Sequence, residues 1–198
     1  MKTIKEYKLV KFLGKGAFGE IYLAQKLDNQ QLYAAKVLDK KRMDSPKLKK
    51  YLDREIAILQ KLDHPNIVKF YEQFDDKDNY YIIIEYCNGG NLLENLKKYI
   101  EIYNEPFSIE IIQHLMREII RAFGHIHSNR IIHRDIKLQN ILLSYDNEND
   151  KKDFNLMKAK VKIIDFGVAI EITPDGYAYT RLGSVKTMDP LILNGKYE

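Results

Sequence analysis

Eight consecutive residues carry the clearest chemistry in this chain: His133-Arg134-Asp135-Ile136-Lys137-Leu138-Gln139-Asn140. A carboxylate at Asp135 can accept the proton of an incoming hydroxyl. Lys137 can neutralise charge on a transferred phosphoryl group, and Asn140 offers an oxygen to Mg2+. Five specified residues in such a window arise by chance in roughly one chain in ten thousand or fewer. The plainer reading, a capped polar turn, does not account for that rarity.

Three further segments are weak alone. Gly14-Lys15-Gly16-Ala17-Phe18-Gly19, followed by Ile21, would let backbone N–H groups approach phosphate oxygens without Cβ interference. A plain hairpin turn explains it as well. It lies between two strand-like runs, unlike a dinucleotide fingerprint, and its spacing is not that of a Walker loop. Lys36 ends the apolar run Ala34-Ala35-Lys36, and Glu55 follows 19 residues later. Taken singly, each is an ordinary solvated side chain; an ion pair between them would hold the ammonium against the α- and β-phosphates. Asp165-Phe166-Gly167 follows an apolar run at 161–164. It is a common turn tripeptide that gains meaning only from its place after the 133–140 segment.

Periodicity indicates what must position these residues. Residues 7–12, 20–26 and 31–39 read as short strands separated by Gly-rich or Asp-Asn turns. Over 47–62, Leu48, Leu52, Ile56, Leu59 and Leu62 fall on one helix face, and His64-Pro65-Asn66 stops the pattern. Strands are expected at 67–74 and 80–86. Helices are expected at 91–103 and from an N-cap at Ser108, the second with Ile112, Leu115, Ile119, Ala122, Phe123 and Ile126 on one face. The stretch 144–155, rich in Asp, Asn and Lys, reads as an exposed, mobile loop. A five-stranded lobe with one helix therefore precedes a helical lobe. The two regions are 1–84 and 85–198, with a cleft expected between them.

Composition narrows the class. The chain has 198 residues, 45% apolar and 30% charged, with a net charge of +4, which fits a globular fold. The basic residues of 40–50 read as a solvated approach to a helix, not a nucleic-acid surface. A single cysteine, Cys87, excludes an internal disulfide framework and fits a reducing compartment. No signal-like leader or bilayer-spanning run is seen, so a cytoplasmic protein without a transmembrane segment is expected.

Together, in this order, the four motifs resemble the eukaryotic protein kinase catalytic domain, serine/threonine type, from about Tyr7 to the chain end. The resemblance implies an α+β, bilobal protein-kinase-like fold. It has a five-stranded antiparallel N-lobe with one helix and a partial, mainly helical C-lobe. It implies the cofactors ATP and Mg2+, with ATP in the interlobe cleft, and transfer of the γ-phosphate to Ser/Thr hydroxyls of protein substrates. It further implies catalytic roles for Asp135, Lys137, Lys36 and Glu55, and metal binding by Asn140 and Asp165. ATP binding falls to Leu13, Gly14, Gly16, Gly19, Ile21, Ala34, Lys36, Glu85, Cys87, Asn91 and Leu142. Ile84 takes the gatekeeper position, and Leu59, Phe70, His133 and Phe166 match the hydrophobic stack of an active kinase. Lys137 and Ser184 imply serine/threonine specificity. The segments 85–90 and 139–144 and the insert before Asp165 are similar to the autophagy-initiating kinase group. Thr180 would be the activation-loop phosphosite, modified by an upstream kinase or by autophosphorylation, with Arg134 as the phosphate's partner. Asn91 and Gln139 stand where kinases selective for arginine-rich substrates carry acids, so weak upstream Arg preference is expected.

Some residues depart from the pattern. Val185, Asp189 and Leu191 replace the family's proline, alanine and glutamate, and the chain ends before the arginine that anchors that glutamate. A fragment or incomplete gene model is expected, with helix faces left uncovered. The alternative is a catalytically impaired, pseudokinase-like ATP-binding or scaffold protein. A small-molecule kinase is disfavoured by Lys137 and Ser184.

Overall fold

The computed structural model describes residues 2–16 and 19–172; Thr180, Ser184, Val185, Asp189 and Leu191 lie outside the described residues. In chain order the elements are β1 (Thr3–Ile4), β2 (Tyr7–Lys15), β3 (Glu20–Lys26), β4 (Leu32–Asp39), α1 (Pro46–Lys61), β5 (Phe70–Asp75) and β6 (Asn79–Glu85). There follow α2 (Leu92–Tyr103), α3 (Ile109–Ser128), β7 (Ile131–Ile132), β8 (Ile141–Ser144), α4 (Glu148–Lys152), β9 (Lys160–Ile163) and β10 (Ile170–Glu171). They form two compact units: the chain up to Ile56 with Lys69–Tyr86, and Ala57–Val68 with the described chain from Cys87 onward. The units are discontinuous in sequence, whereas the sequence suggested a single boundary at 84/85.

The first unit is one antiparallel sheet in the order β1-β2-β3-β4-β6-β5. It has six strands where five were expected. The extra one is two residues long, made when Lys5 takes a positive φ and turns the chain so that Ile4 pairs with Tyr7. Burial of Ile4 alongside Tyr7, Ala24, Tyr33, Ala35, Tyr81 and Ile83 holds it there. β6 shows why both faces are apolar. Tyr81 and Ile83 enter that cluster, while Ile82 joins a second with Leu38, Met43, Leu52 and Ile56, against which Phe70 and Ile84 pack. Leu52 and Ile56, four apart on α1, seat the helix on the sheet. Burying each such side chain stabilises by about 1.5–3 kcal/mol.

Strand β5 begins at Phe70, later than expected, because Ile67 and Val68 pair elsewhere. Ile67 bridges Ile163 in parallel, the Val68 N–H donates to the Ile163 C=O at 3.0 Å, and the Ile163 N–H donates to the Asn66 C=O at 2.9 Å. The apolar run correctly signals burial, but its partner is β9 of the second unit.

In the second unit β8 pairs with β9 and β7 with β10. Leu115, Ala122 and Ile126 of α3 are buried, whereas Ile112, placed on the same face by the sequence pattern, is exposed, as are Ile109, Met116 and Ile120. The stretch 144–155 is not a plain loop. Ser144 ends β8, Tyr145 is buried, and α4 follows with Asn147 as N-cap, its Oδ1 accepting from the Asp150 N–H at 2.8 Å. Acids in the first turn and lysines in the last suit the helix dipole, so a composition read as loop encodes a short helix. No helix among the described residues is long and apolar enough to cross a membrane.

Candidate active site

In the first unit, β4 places Lys36 between Ile21 of β3 and Ile82 of β6. Alternation sends the Ala35 side chain into the core under the sheet and leaves Lys36 on the face that carries α1. There its Nζ donates to both carboxylate oxygens of Glu55, at 2.5 and 2.7 Å. Lys36 is 7% exposed and Glu55 4%. Desolvating two charges is costly, and close two-point geometry is what offsets it. Leu52 and Ile56, flanking Glu55 on the helix, fix where its carboxylate arrives.

The glycine turn divides into two kinds of position. The Gly16 N–H donates to the Gly19 C=O at 2.8 Å and closes it. A Cβ on Gly19 would lie 2.2 Å from the Val37 carbonyl oxygen, so that glycine is required by the approach of β4. A Cβ on Gly14 would meet nothing within 4 Å, and one on Gly16 only the Gly19 oxygen at 3.7 Å. Their bare backbone is not demanded by packing. Ala17 and Phe18 lie outside the described residues. Leu13 is exposed, Ile21 half-buried and Ala34 buried. Glu85 is held at two points by Lys69: its N–H donates to the Lys69 C=O at 2.8 Å, and its Oε2 accepts from the Lys69 N–H at 3.2 Å.

In the second unit the chain leaves β7 through buried His133 and Arg134, the latter at φ 67°. The Asp135 N–H donates to His133 Nδ1 at 3.3 Å. Nε2 must then carry the proton and donate to the Ile164 C=O at 2.9 Å. Burial, above all, pushes the His133 pKa below its ordinary value, in keeping with a neutral ring. That ring packs edge-on against Phe166, with centroids 4.9 Å apart, so two of the four residues expected in the hydrophobic stack do meet.

Asp135 is 8% exposed. Its Oδ2 accepts from Lys137 Nζ at 2.6 Å and from Asn140 Nδ2 at 2.8 Å, and the same amide donates to the Asp135 C=O at 2.8 Å. Both amide donations of Asn140 thus serve Asp135, which points its carbonyl oxygen away from that carboxylate. The Ile164 N–H donates to the Asn140 C=O at 3.0 Å, placing Asp165, at φ 64°, beside this turn. Arg134 Nε donates to the Val168 C=O at 2.6 Å, binding the loop to the stretch after Asp165. An amide oxygen and a carboxylate are hard oxygen donors, the set that suits Mg2+.

The remaining expected residues of this unit are Cys87, buried, Leu142, half-buried, and Asn91. Asn91 is also the N-cap of α2: its Oδ1 accepts from the Glu94 N–H at 2.9 Å, so its amide hydrogens are what it can offer a ligand. Sequence reasoning missed Asn88, whose side chain bonds both backbone groups of Tyr145. The signal available was Gly89-Gly90, since paired glycines mark a close backbone approach.

With this geometry in view, the comparisons are direct. A family model for the protein kinase domain matches residues 7–198. Calcium-dependent protein kinase 4 of Plasmodium berghei (strain Anka) is 32% identical over 194 residues, 98% of this chain and 34% of the relative. Serine/threonine-protein kinase ATG1a of Arabidopsis thaliana is 34% identical over 198 residues, all of this chain and 29% of the relative. The 3-phosphoinositide-dependent protein kinase B of Dictyostelium discoideum is 38% identical over 157 residues, 79% of this chain and 17% of the relative. The chain spans about a third or less of the length of these curated relatives. Motifs, site geometry and family model agree, and the chain belongs to the protein kinase family.

Proposed function

We propose that the chain transfers the γ-phosphoryl group of ATP, with Mg2+, to Ser or Thr hydroxyls of protein substrates. The observation that carries this reading is the buried Asp135 carboxylate, oriented by Lys137 and Asn140 through a single oxygen. That arrangement suits a group that aligns an acceptor hydroxyl and takes its proton. Lys137 neutralises charge growing on the transferred group. Lys36, fixed by Glu55, holds the α- and β-phosphates, and the open backbone at Gly14 and Gly16 admits phosphate oxygens. Gly19 supports the turn. For adenine, the first unit offers the Glu85 backbone with Leu13, Ile21 and Ala34, and the second unit offers the Cys87 backbone with Asn91 and Leu142. Mg2+, held by Asn140 Oδ1 and the Asp165 carboxylate, would supply neutralisation of phosphate charge.

Serine/threonine acceptors are supported by Lys137 and by relatives of that printed name. Phosphorylation at Thr180, by an upstream kinase or by the protein itself, belongs to the same proposal, as does weak selection of upstream Arg by Asn91 and Gln139. The autophagy-initiating group is supported by the match to ATG1a. Relatives of other groups match at similar identity, so the site carries the proposal and not any one relative.

The test is ATP-dependent phosphate incorporation into a generic protein substrate, with Asp135→Asn and Asp165→Ala beside the unmutated protein. Incorporation on Ser and Thr, lost in both variants, is expected. An unmutated protein that binds nucleotide without turnover would make it a binding or scaffold protein instead.

A further inference from the structure

The segment after Cys87 is bonded to β8 as an added strand would be. The Gly89 N–H donates to the Leu143 C=O at 2.9 Å, the Leu143 N–H donates to the Gly90 C=O at 2.9 Å, and Asn91 bridges Leu142. A Cβ on Gly89 would lie 2.7 Å from the Leu143 oxygen, so the two backbones are as close as glycine allows. The last rung is made by a side chain. Asn88 Oδ1 accepts from the Tyr145 N–H at 2.8 Å, and its Nδ2 donates to the Tyr145 C=O at 3.2 Å. A carboxamide has the donor and acceptor of a peptide group, and Asn88 uses both. Asn95 Nδ2 closes the far side, donating to the carbonyls of Gly89 and Asn91, at 2.8 Å each.

Tyr145 is anchored in turn. It is the first residue of the polar insert after β8, its side chain is buried, and α4 starts three residues on. Glu148 Oε1, at the start of α4, stands 3.5 Å from Asn88 Nδ2. A polar stretch that sequence reads as a loop thus holds one end of a two-point clamp next to Cys87.

From this geometry we infer that Asn88 is a positioning residue for the Cys87 peptide group, acting through Tyr145 and the insert, and that it sets ATP affinity without taking part in phosphoryl transfer. The inference rests on the kinase reading, in which the Cys87 backbone meets adenine. Misplacing a binding group by about 1 Å weakens what it binds, while Asp135 and Lys137 keep their own bonds. The insert then becomes a control element: whatever shifts α4 shifts nucleotide affinity.

The experiment measures ATP affinity by direct titration, the KM for ATP, kcat and melting temperature for the unmutated protein, Asn88→Leu and Asn88→Asp. Leucine keeps the shape and removes both bonds; aspartate keeps the acceptor for the Tyr145 N–H and sets an oxygen against the Tyr145 C=O. The expected result for Asn88→Leu is an ATP Kd and KM raised about tenfold with kcat within about twofold, as loss of uniform binding requires. Asn88→Asp should fall between, raised about threefold, and it decides alone if the leucine variant does not fold. ATP bound within about twofold of normal by the folded variants would overturn the inference and leave the kinase reading standing. Parallel loss of kcat and melting temperature would reduce Asn88 to a structural residue and overturn it as well. An unmutated protein that binds no ATP would overturn the kinase reading, and this inference with it.

Discussion

The two charged clusters of this protein are built by opposite means. Lys36 and Glu55 are 19 residues apart, brought together by a strand and a helix whose apolar side chains share one core. Asp135, Lys137 and Asn140 lie within six residues of each other and are held by side-chain bonds in a loop. The first pair is almost fully buried; the Lys137 side chain is 30% exposed. Packing positions the first cluster, so disturbing it should disturb the fold. Local hydrogen bonds position the second, so changing its chemistry should leave the fold alone.

Asp135→Asn is the sharpest way to test the loop side of that contrast. The amide keeps an oxygen toward Lys137 and removes the base, which typically costs about 10²–10⁴ in rate. Phosphate transfer should fall by that factor with the melting temperature unchanged. A large fall in melting temperature would show that the loop is structural after all.

Glu55→Gln tests the packed side. It leaves the Lys36 ammonium buried without its counter-charge, a change that costs about 3–5 kcal/mol. Urea unfolding should show that loss, and Lys36→Met with Glu55→Leu should recover most of it. If Glu55→Gln lost activity at full stability, the contrast between the clusters would collapse.

Gly19→Ala against Gly14→Ala brings the same comparison inside one turn. Overpacking against the Val37 carbonyl should cost Gly19→Ala about 1–3 kcal/mol, whereas Gly14→Ala should unfold like the unmutated protein. Gly14→Ala should instead weaken ATP. Equal stability loss at both positions would break the division.

What was legible in the sequence follows from which chemistry is local. Asp135, Lys137 and Asn140 could be read because one loop supplies all three. Lys36 and Glu55 could be singled out only as the end of an apolar run and a position on a helix pattern; that they meet is seen only once strand and helix share a core. Partner choice was not legible: Ile67 and Val68 are as apolar as a strand of the first sheet, yet they pair with Ile163. A polar segment such as 144–155 hides its order because its bonds are made by amides and caps, which composition does not distinguish from solvated groups. Gly14 and Gly19 look alike in sequence; only the Val37 carbonyl separates them.

A pH titration examines how the loop is tied to the core. Burial holds the His133 pKa below its ordinary 6.5. As pH falls through 6.5 the unfolded chain takes up a proton that the folded chain still refuses. The associated stability is therefore complete above that pH and lost as pH falls toward the folded value, by at most about 1.4 kcal/mol per pH unit. His64, lowered by burial and by neighbouring His125, adds a slope of the same sign. Unfolding at about pH 7.5 and 5.5 should show this loss, reduced in His133→Phe. An undiminished slope would remove His133 from the account.

The smallest effect is expected where bonding is incomplete. Beside the fully used carboxamide of Asn88, the Tyr145 hydroxyl is buried with no hydrogen-bond partner among the described residues, and burial raises its pKa. Removing a bonded hydroxyl leaves its partner unsatisfied, but removing an unbonded one leaves nothing behind and lifts a desolvation penalty. Tyr145→Phe should therefore unfold at the same urea concentration or a slightly higher one, within about 0.5–1 kcal/mol, and bind ATP as before. It separates the two halves of Tyr145: the backbone, which the clamp needs, from the hydroxyl, which it does not. A loss of more than about 1 kcal/mol would mean that an ordered water completes the hydroxyl and that the insert is bonded more tightly than its side chains alone account for.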